Sequence, residues 1–294
     1  MGGEETAMGR FNYERTIFGE RQQFLRHDKN LGGIRLDRSL EALGQVALAD
    51  EWLLEVGCGA GVFSRSLKHY CPDARVLGCD LSRHAVEQAH QQSQDILYNV
   101  ADAQALPYVD AKFQAVVFFD LLEHVEAPDQ TLQEFYRVLK PGGILHGYVP
   151  CEGNRSTLHW LMHKVGIGAN LTRKHAGHIN YFSEKELVVL ARRAGFTVEQ
   201  VSHSAQFLGQ ALDVSMFVAR EIVDRSTRPK AQRDASAPTK FHNRQSVQSR
   251  GLRALYDPLR RLVDGVVFWE AQWFKRTSWG LGVHLTARKG AEAA

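Results

Sequence analysis

Residues 53–64 read Leu-Leu-Glu-Val-Gly-Cys-Gly-Ala-Gly-Val-Phe-Ser, placing an acid, Glu55, just ahead of three glycines, Gly57, Gly59 and Gly61, that enclose Cys58. A loop so stripped of side chains lets its backbone approach a ligand closely. Asp80 stands nineteen residues after Gly61, at the end of the next apolar run. A carboxylate there can accept both hydroxyls of a ribose. The G-x-G-x-G spacing is shorter than the G-x-G-x-x-G of dinucleotide sites, and an acid is hard to explain beside a pyrophosphate. Glu55 can instead accept a hydrogen bond from an ammonium, directly or through water. A ligand with a ribose, an ammonium and no phosphate points to S-adenosylmethionine, and NAD is not expected. Further along, His124, His175 and His178 offer imidazoles that can take a proton near neutral pH. His159 and His163 are four apart with no third ligand spaced nearby, so no zinc site is expected.

These residues need elements to position them. "EWLLEVG", "ARVLGCD", "DILYNV", "FQAVVFFD" and "GGILHGYVP" read as strands, with helices at 62–70, in "SRHAVEQAHQQ" and in "APDQTLQEFYRVL" between them. Strands alternating with helices imply right-handed βαβ units and a parallel sheet. The run at 114–119 is apolar nearly throughout, as expected of a strand buried on both faces. After residue 150 the rhythm loosens. "SEKELVVLARRAGF" is a helix with Ser183 and Glu186 as a capping box and Gly195 at its end. "TVEQVSHS" and "GLGVHLTARK" complete seven strands. The expected fold is α/β: a doubly wound, mostly parallel seven-stranded sheet with a helical N-terminal lid and a helical insertion before the last strand. The expected division is a helical cap at 1–49, a core at 50–204 plus 279–290, and an insertion at 205–278.

Composition sets bounds on function. The 294 residues carry a net charge of +3 and an apolar fraction of 44%, enough for a normal core. So small a charge argues against a dedicated DNA binder. Four cysteines without a C-x-x-C pair point to free thiols in a reducing compartment. No run approaches the length of a membrane span, and "MGGEETAMGRFNYER" lacks the apolar core of a signal peptide. A cytoplasmic protein is expected.

The order "LLEVGCGAG", "VLGCDLS", "NVADAQALP", "FQAVVFFDLLEHV", "FYRVLKPGGIL" resembles class I S-adenosylmethionine-dependent methyltransferases over roughly 50–204 and the final strand. The resemblance implies that Glu55, Gly57, Cys58, Gly59 and Gly61 form the first cofactor motif, Asp80 binds the ribose, and Leu81 lies beside the adenine. It places Asp102 and Ala103 at the adenine amino edge, and Phe119 and Asp120 where methionine and acceptor meet. "LLEHV" is similar to small-molecule methyltransferases and to the ubiquinone-biosynthesis O-methyltransferases. In the latter, two acids and a histidine here can hold a divalent cation, and Asp120, Glu123 and His124 keep a D-x-x-E-H spacing. The same spacing occurs in metal-free relatives, and no metal is assigned. Relatives often carry a histidine near His175 and His178 facing the acceptor, so His178, His124 or His175 is the expected base.

The expected reaction is methyl transfer to an oxygen of a small, hydrophobic molecule. Two alternatives differ in class: an RNA methyltransferase using the Arg- and Lys-rich stretch 225–261, or a non-catalytic subunit that binds the cofactor. Against RNA, that stretch has few aromatics for base stacking. The aromatic-rich helix at 253–276 reads as packed on the sheet, as a lid, or as an interfacial helix reaching a membrane surface or a lipid-like acceptor. The oligomeric state is unknown from sequence.

Overall fold

The computed structural model describes Leu25 and residues 30–165, 172–173, 176–227 and 250–291. His175, most of the cap at 1–49 ahead of residue 30, and 228–249 of the insertion lie outside the described residues.

The helix α1 spans Leu31–Leu43, capped by Asn30, whose side chain accepts from Gly33 N at 2.8 Å. Next come β1 (Trp52–Val56), α2 (Val62–Tyr70), β2 (Arg75–Asp80), α3 (Arg83–Gln92), β3 (Leu97–Val100), β4 (Phe113–Phe119), α4 (Pro128–Val138) and β5 (Leu139–Pro150). There follow α5 (Leu158–Lys164), α6 (Glu184–Arg193), β6 (Phe196–Ser204), α7 (Phe207–Thr227), α8 (Arg250–Trp273) and β7 (Gly282–Lys289). The Ser183–Glu186 capping box is formed at the start of α6. Helix α7 stands in a region that the sequence left without an assigned element.

The seven strands lie in the order β3-β2-β1-β4-β5-β7-β6. All pairs are parallel except those of β7, which runs antiparallel to β5 and β6. The order reverses between β1 and β4, and ligands of such sheets bind beyond the strand ends at that switch point.

Period-two alternation builds a core on each face. From β4, Val116 and Phe118 face Leu132 and Phe135 of α4 and Leu187 and Ala191 of α6. Ala115, Val117 and Phe119 face the other way, with Leu36 of α1, Leu67 of α2 and Val86 of α3. Gly147 of β5 sits in register with Phe118, and a Cβ there would meet the Phe118 ring at 2.1 Å. Neither strand can move aside inside a sheet. Gly147→Ala is therefore expected to cost about 1–3 kcal/mol by overpacking, seen as a melting midpoint several degrees lower. An unchanged midpoint would mean the ring has room to turn.

Candidate active site

The glycine loop closes β1 onto α2. Gly57, Gly59 and Gly61 have φ of 78°, 52° and 76°, the left-handed region that side chains disfavour. At Gly61 a Cβ would also lie 2.5 Å from the Tyr98 hydroxyl. Gly57 N and Cys58 N both donate to Cys79 O, at 2.8 and 3.0 Å, tying the loop to β2. Gly59 N donates to Asp80 Oδ2 at 2.8 Å and Ser82 N to Oδ1 at 2.9 Å. Both carboxylate oxygens are thus anchored by backbone at the mouth of the switch point. Leu81 beside it is 61% exposed. Asp102 Oδ1 accepts from Gln104 N at 2.9 Å, and Ala103 is buried next to it. Gln104 in turn accepts from Ala127 N, which fixes this loop against the start of α4.

Glu55 is placed differently from a side chain waiting in the open. It is buried beneath the loop and accepts a hydrogen bond from Ser64 of α2. Burial pushes its carboxyl up to about 8; the Ser64 bond works against this and the Asp80 carboxylate adds to it. Cys58 is buried, and its thiol is pushed up by burial. Phe119, also buried, stacks on Phe63 of α2 with ring centroids 4.0 Å apart.

A second polar group gathers just beyond β4 and β5. Asp120, with φ of 47°, is held by Arg35 of α1, whose guanidinium also lies 3.8 Å from the Tyr148 ring centroid. Glu123 is fully buried, and neither of its carboxylate oxygens has a hydrogen-bond partner among the described residues. Burial, aided by Asp120, raises its carboxyl to about 8. His124 Nδ1 is 3.2 Å from Gly177 O. A carbonyl only accepts, so Nδ1 carries the proton and Nε2 the lone pair. Burial and the neighbouring His178 lower His124 to about 4. The rings of His124 and His178 meet edge-on, with centroids 5.0 Å apart, and His178 Nδ1 lies 2.6 Å from Glu152 Oε1.

Two of the three expected base candidates are thus brought together, and His175 lies outside the described residues. The D-x-x-E-H triplet is not: Asp120 turns to Arg35, and it is Glu123, His124 and His178 whose ligand atoms lie within 4.8 Å of one another. His159 and His163 part company, His159 to Asp213 of α7 at 2.9 Å and His163 to Glu152 at 3.2 Å. Sequence reasoning missed Glu152 and Arg35. An acid just after the fifth strand, at its ligand-facing end, is the signal that could have found Glu152.

Residues 54–146 match a family described as a methyltransferase domain. A ubiquinone biosynthesis O-methyltransferase of Pseudomonas entomophila is 36% identical over 166 residues, 53% of this chain and 69% of the relative. The chain is a class I S-adenosylmethionine-dependent methyltransferase. A ubiquinone/menaquinone biosynthesis C-methyltransferase of Desulfotalea psychrophila is 40% identical over 93 residues, 31% of this chain. The match spans only 38% of that relative's length. A phosphoethanolamine N-methyltransferase of Haemonchus contortus, solved with S-adenosylhomocysteine, shares the fold at TM-score 0.50 and 16% identity, over 87% of this chain and 53% of the other. The methyltransferase uses S-adenosylmethionine as its cofactor. No helix among its described residues is long and apolar enough to cross a membrane.

Proposed function

We propose that this methyltransferase moves the sulfonium methyl of S-adenosylmethionine to an oxygen of a small, hydrophobic molecule in the cytoplasm. Gly57, Cys58, Gly59 and Gly61 cradle the cofactor, Asp80 holds its ribose, Leu81, Asp102 and Ala103 border its adenine, and Phe119 flanks its methionine end. Glu55 acts from beneath the loop on the ammonium. The sulfonium is already a strong methyl donor, so most of the rate comes from alignment and proximity. The observation that carries oxygen as the acceptor is the pair of partly buried imidazoles, His124 just after β4 and His178 in the loop before α6, whose rings meet edge-on. A hydroxyl must lose a proton as it attacks, and His178 takes it. The O-methyltransferase relative supports the same reading. Incubation with methyl-labelled cofactor and fractionated cell extract, with mass spectrometry of the labelled product, tests it. An N- or C-methylated product would refute it.

The insertion gives the acceptor its hydrophobic character in this reading. Val267 and Ala271 of α8 are buried, whereas Trp269, Trp273 and Trp279 remain 47%, 75% and 47% exposed. Ser204 and Gly282 are paired across β6 and β7, so a short turn can join them without breaking the sheet. Replacing residues 205–278 by such a turn is expected to leave cofactor binding intact, because β1 and β2 lie across β4 and β5 from this edge. Turnover should vanish, because α5 loses Asp213 and the bond from Leu158 N to Gln210. A normal rate on the native acceptor would show that the insertion has no part in the pocket.

A further inference from the structure

Glu152 lies two residues beyond the end of β5, at the same edge of the sheet as Asp120 and Glu123, and is 2% exposed. A carboxylate buried this deeply is costly unless it is paired. Two histidines from separate segments answer it: His178 Nδ1 at 2.6 Å from Oε1, and His163 Nε2 of α5 at 3.2 Å from Oε2. Burial works to raise its pKa, but these two partners outweigh it and hold the group near 2. At neutral pH it is ionised.

We propose that Glu152 is the positioning residue for the acceptor-side base: it fixes His178 with the proton on Nδ1, so that Nε2 is the atom presented to the acceptor hydroxyl. The inference rests on the reading of His178 as that base. An ionised carboxylate can only accept, so the ring nitrogen facing it must donate. The neutral ring then has its lone pair on Nε2. During transfer the hydroxyl oxygen's electron pair forms the new O–CH3 bond, the S–CH3 pair stays on sulfur, and the O–H proton moves to Nε2. The imidazolium so formed rests against Glu152 until solvent takes the proton.

His163 has a distinct part. Its Nε2 stands 3.2 Å from the second carboxylate oxygen, an ion-pair distance, on the side of Glu152 away from His178 Nδ1. Helix α5 is held in turn by the insertion: His159 meets Asp213, and Gln210 accepts from Leu158 N at 2.6 Å. The edge of Tyr181 packs on His163, centroids 4.8 Å apart. The insertion thereby reaches the base through α5.

The groups facing His178 are Glu152 after β5, Asp120, Glu123 and His124 after β4, and His163 from α5, with Arg35 of α1 behind Asp120. Of these, Glu152 alone makes a hydrogen bond to the ring. Its removal should therefore change both the tautomer and the titration of His178.

The test is long-range proton–nitrogen NMR of the full chain with labelled histidine, followed through a pH series. In the native protein, neutral His178 should carry its proton on Nδ1 and titrate above an ordinary histidine. Glu152→Gln should lower the midpoint by about one pH unit or more and mix the tautomers. Glu152→Asp should recover part of the shift. A native ring protonated on Nε2 overturns the proposal and needs no variant. So does a midpoint unmoved in Glu152→Gln. Turnover on the labelled acceptor fraction separates this from the reading beneath it. A midpoint that moves while turnover stays constant means His178 is not the base. Turnover lost in His178→Ala but untouched, along with the midpoint, in Glu152→Gln means Glu152 does not position it.

Discussion

Asp80→Ala should weaken binding of S-adenosylmethionine and S-adenosylhomocysteine by roughly 30- to 160-fold, measured by calorimetry. Two hydrogen bonds from ribose hydroxyls to a carboxylate are lost, and hydrogen bonds to a charged group are worth about 2–3 kcal/mol here, which converts to that change in affinity. The structure adds a second reason. Asp80 already accepts from Gly59 N and Ser82 N, so it also sets the glycine loop to the height at which its backbone meets the ligand. The variant loses both the contact and the preorganisation. Both freed N–H groups can turn to water at the site's mouth, so the melting midpoint should shift little. Asp80→Asn keeps the side chain's size and one acceptor oxygen, and should fall between the native protein and Asp80→Ala. NAD should bind to none of them. Undiminished affinity in Asp80→Ala would remove Asp80 from the cofactor site.

The glycine loop and its acid were legible in the sequence because their meaning is local. Three left-handed φ values in five residues demand glycine, and a strand-end acid needs only the strand. The sheet was legible for a similar reason: β4 is apolar at every position but Gln114 because it feeds two cores at once. What the sequence could not show depends on distant partners. Arg35 gains its role from Asp120, 85 residues on, and Glu152 from His178, 26 residues on. The D-x-x-E-H spacing grouped Asp120 with Glu123 and His124, but spacing carries no dihedral angle. The positive φ at Asp120 accompanies a side chain turned to α1, and a histidine from another loop joins the other two. Helix α7 escaped assignment because "QFLGQALDVSMFVAREIVDRST" opens on Gln206 and carries Gly209 in its first turn. Its start is satisfied from outside, by Glu270 of α8 accepting from Leu208 N and Gly209 N.

His178→Ala should lower kcat by roughly a hundredfold or more, the scale of general base catalysis, with cofactor affinity unchanged. Both histidines are at the site, and their surroundings decide between them. Burial and the adjacent His178 hold His124 near 4; its ring is neutral at neutral pH, with the lone pair on Nε2, but it is a weak base. Burial works to lower His178 as well, but the Glu152 bond and the Glu123 and Asp120 carboxylates outweigh it and raise the group to about 8. A base is most effective when its pKa lies near the working pH, which favours His178. The sign follows directly. The neutral ring is the active form, so the rate should rise as pH climbs through about 8 and level off above it. Stability should move the opposite way: the raised pKa favours the folded protein below the pKa of an ordinary histidine, and that contribution fades as pH passes about 8. His124→Ala should slow turnover far less and leave the midpoint of the profile near its native place. EDTA should leave the native rate intact, since a proton acceptor needs no cation to work. Activity that disappears with EDTA and returns with magnesium would overturn this assignment and make Glu123, His124 and His178 ligands of an ion that acidifies the acceptor hydroxyl in place of a base.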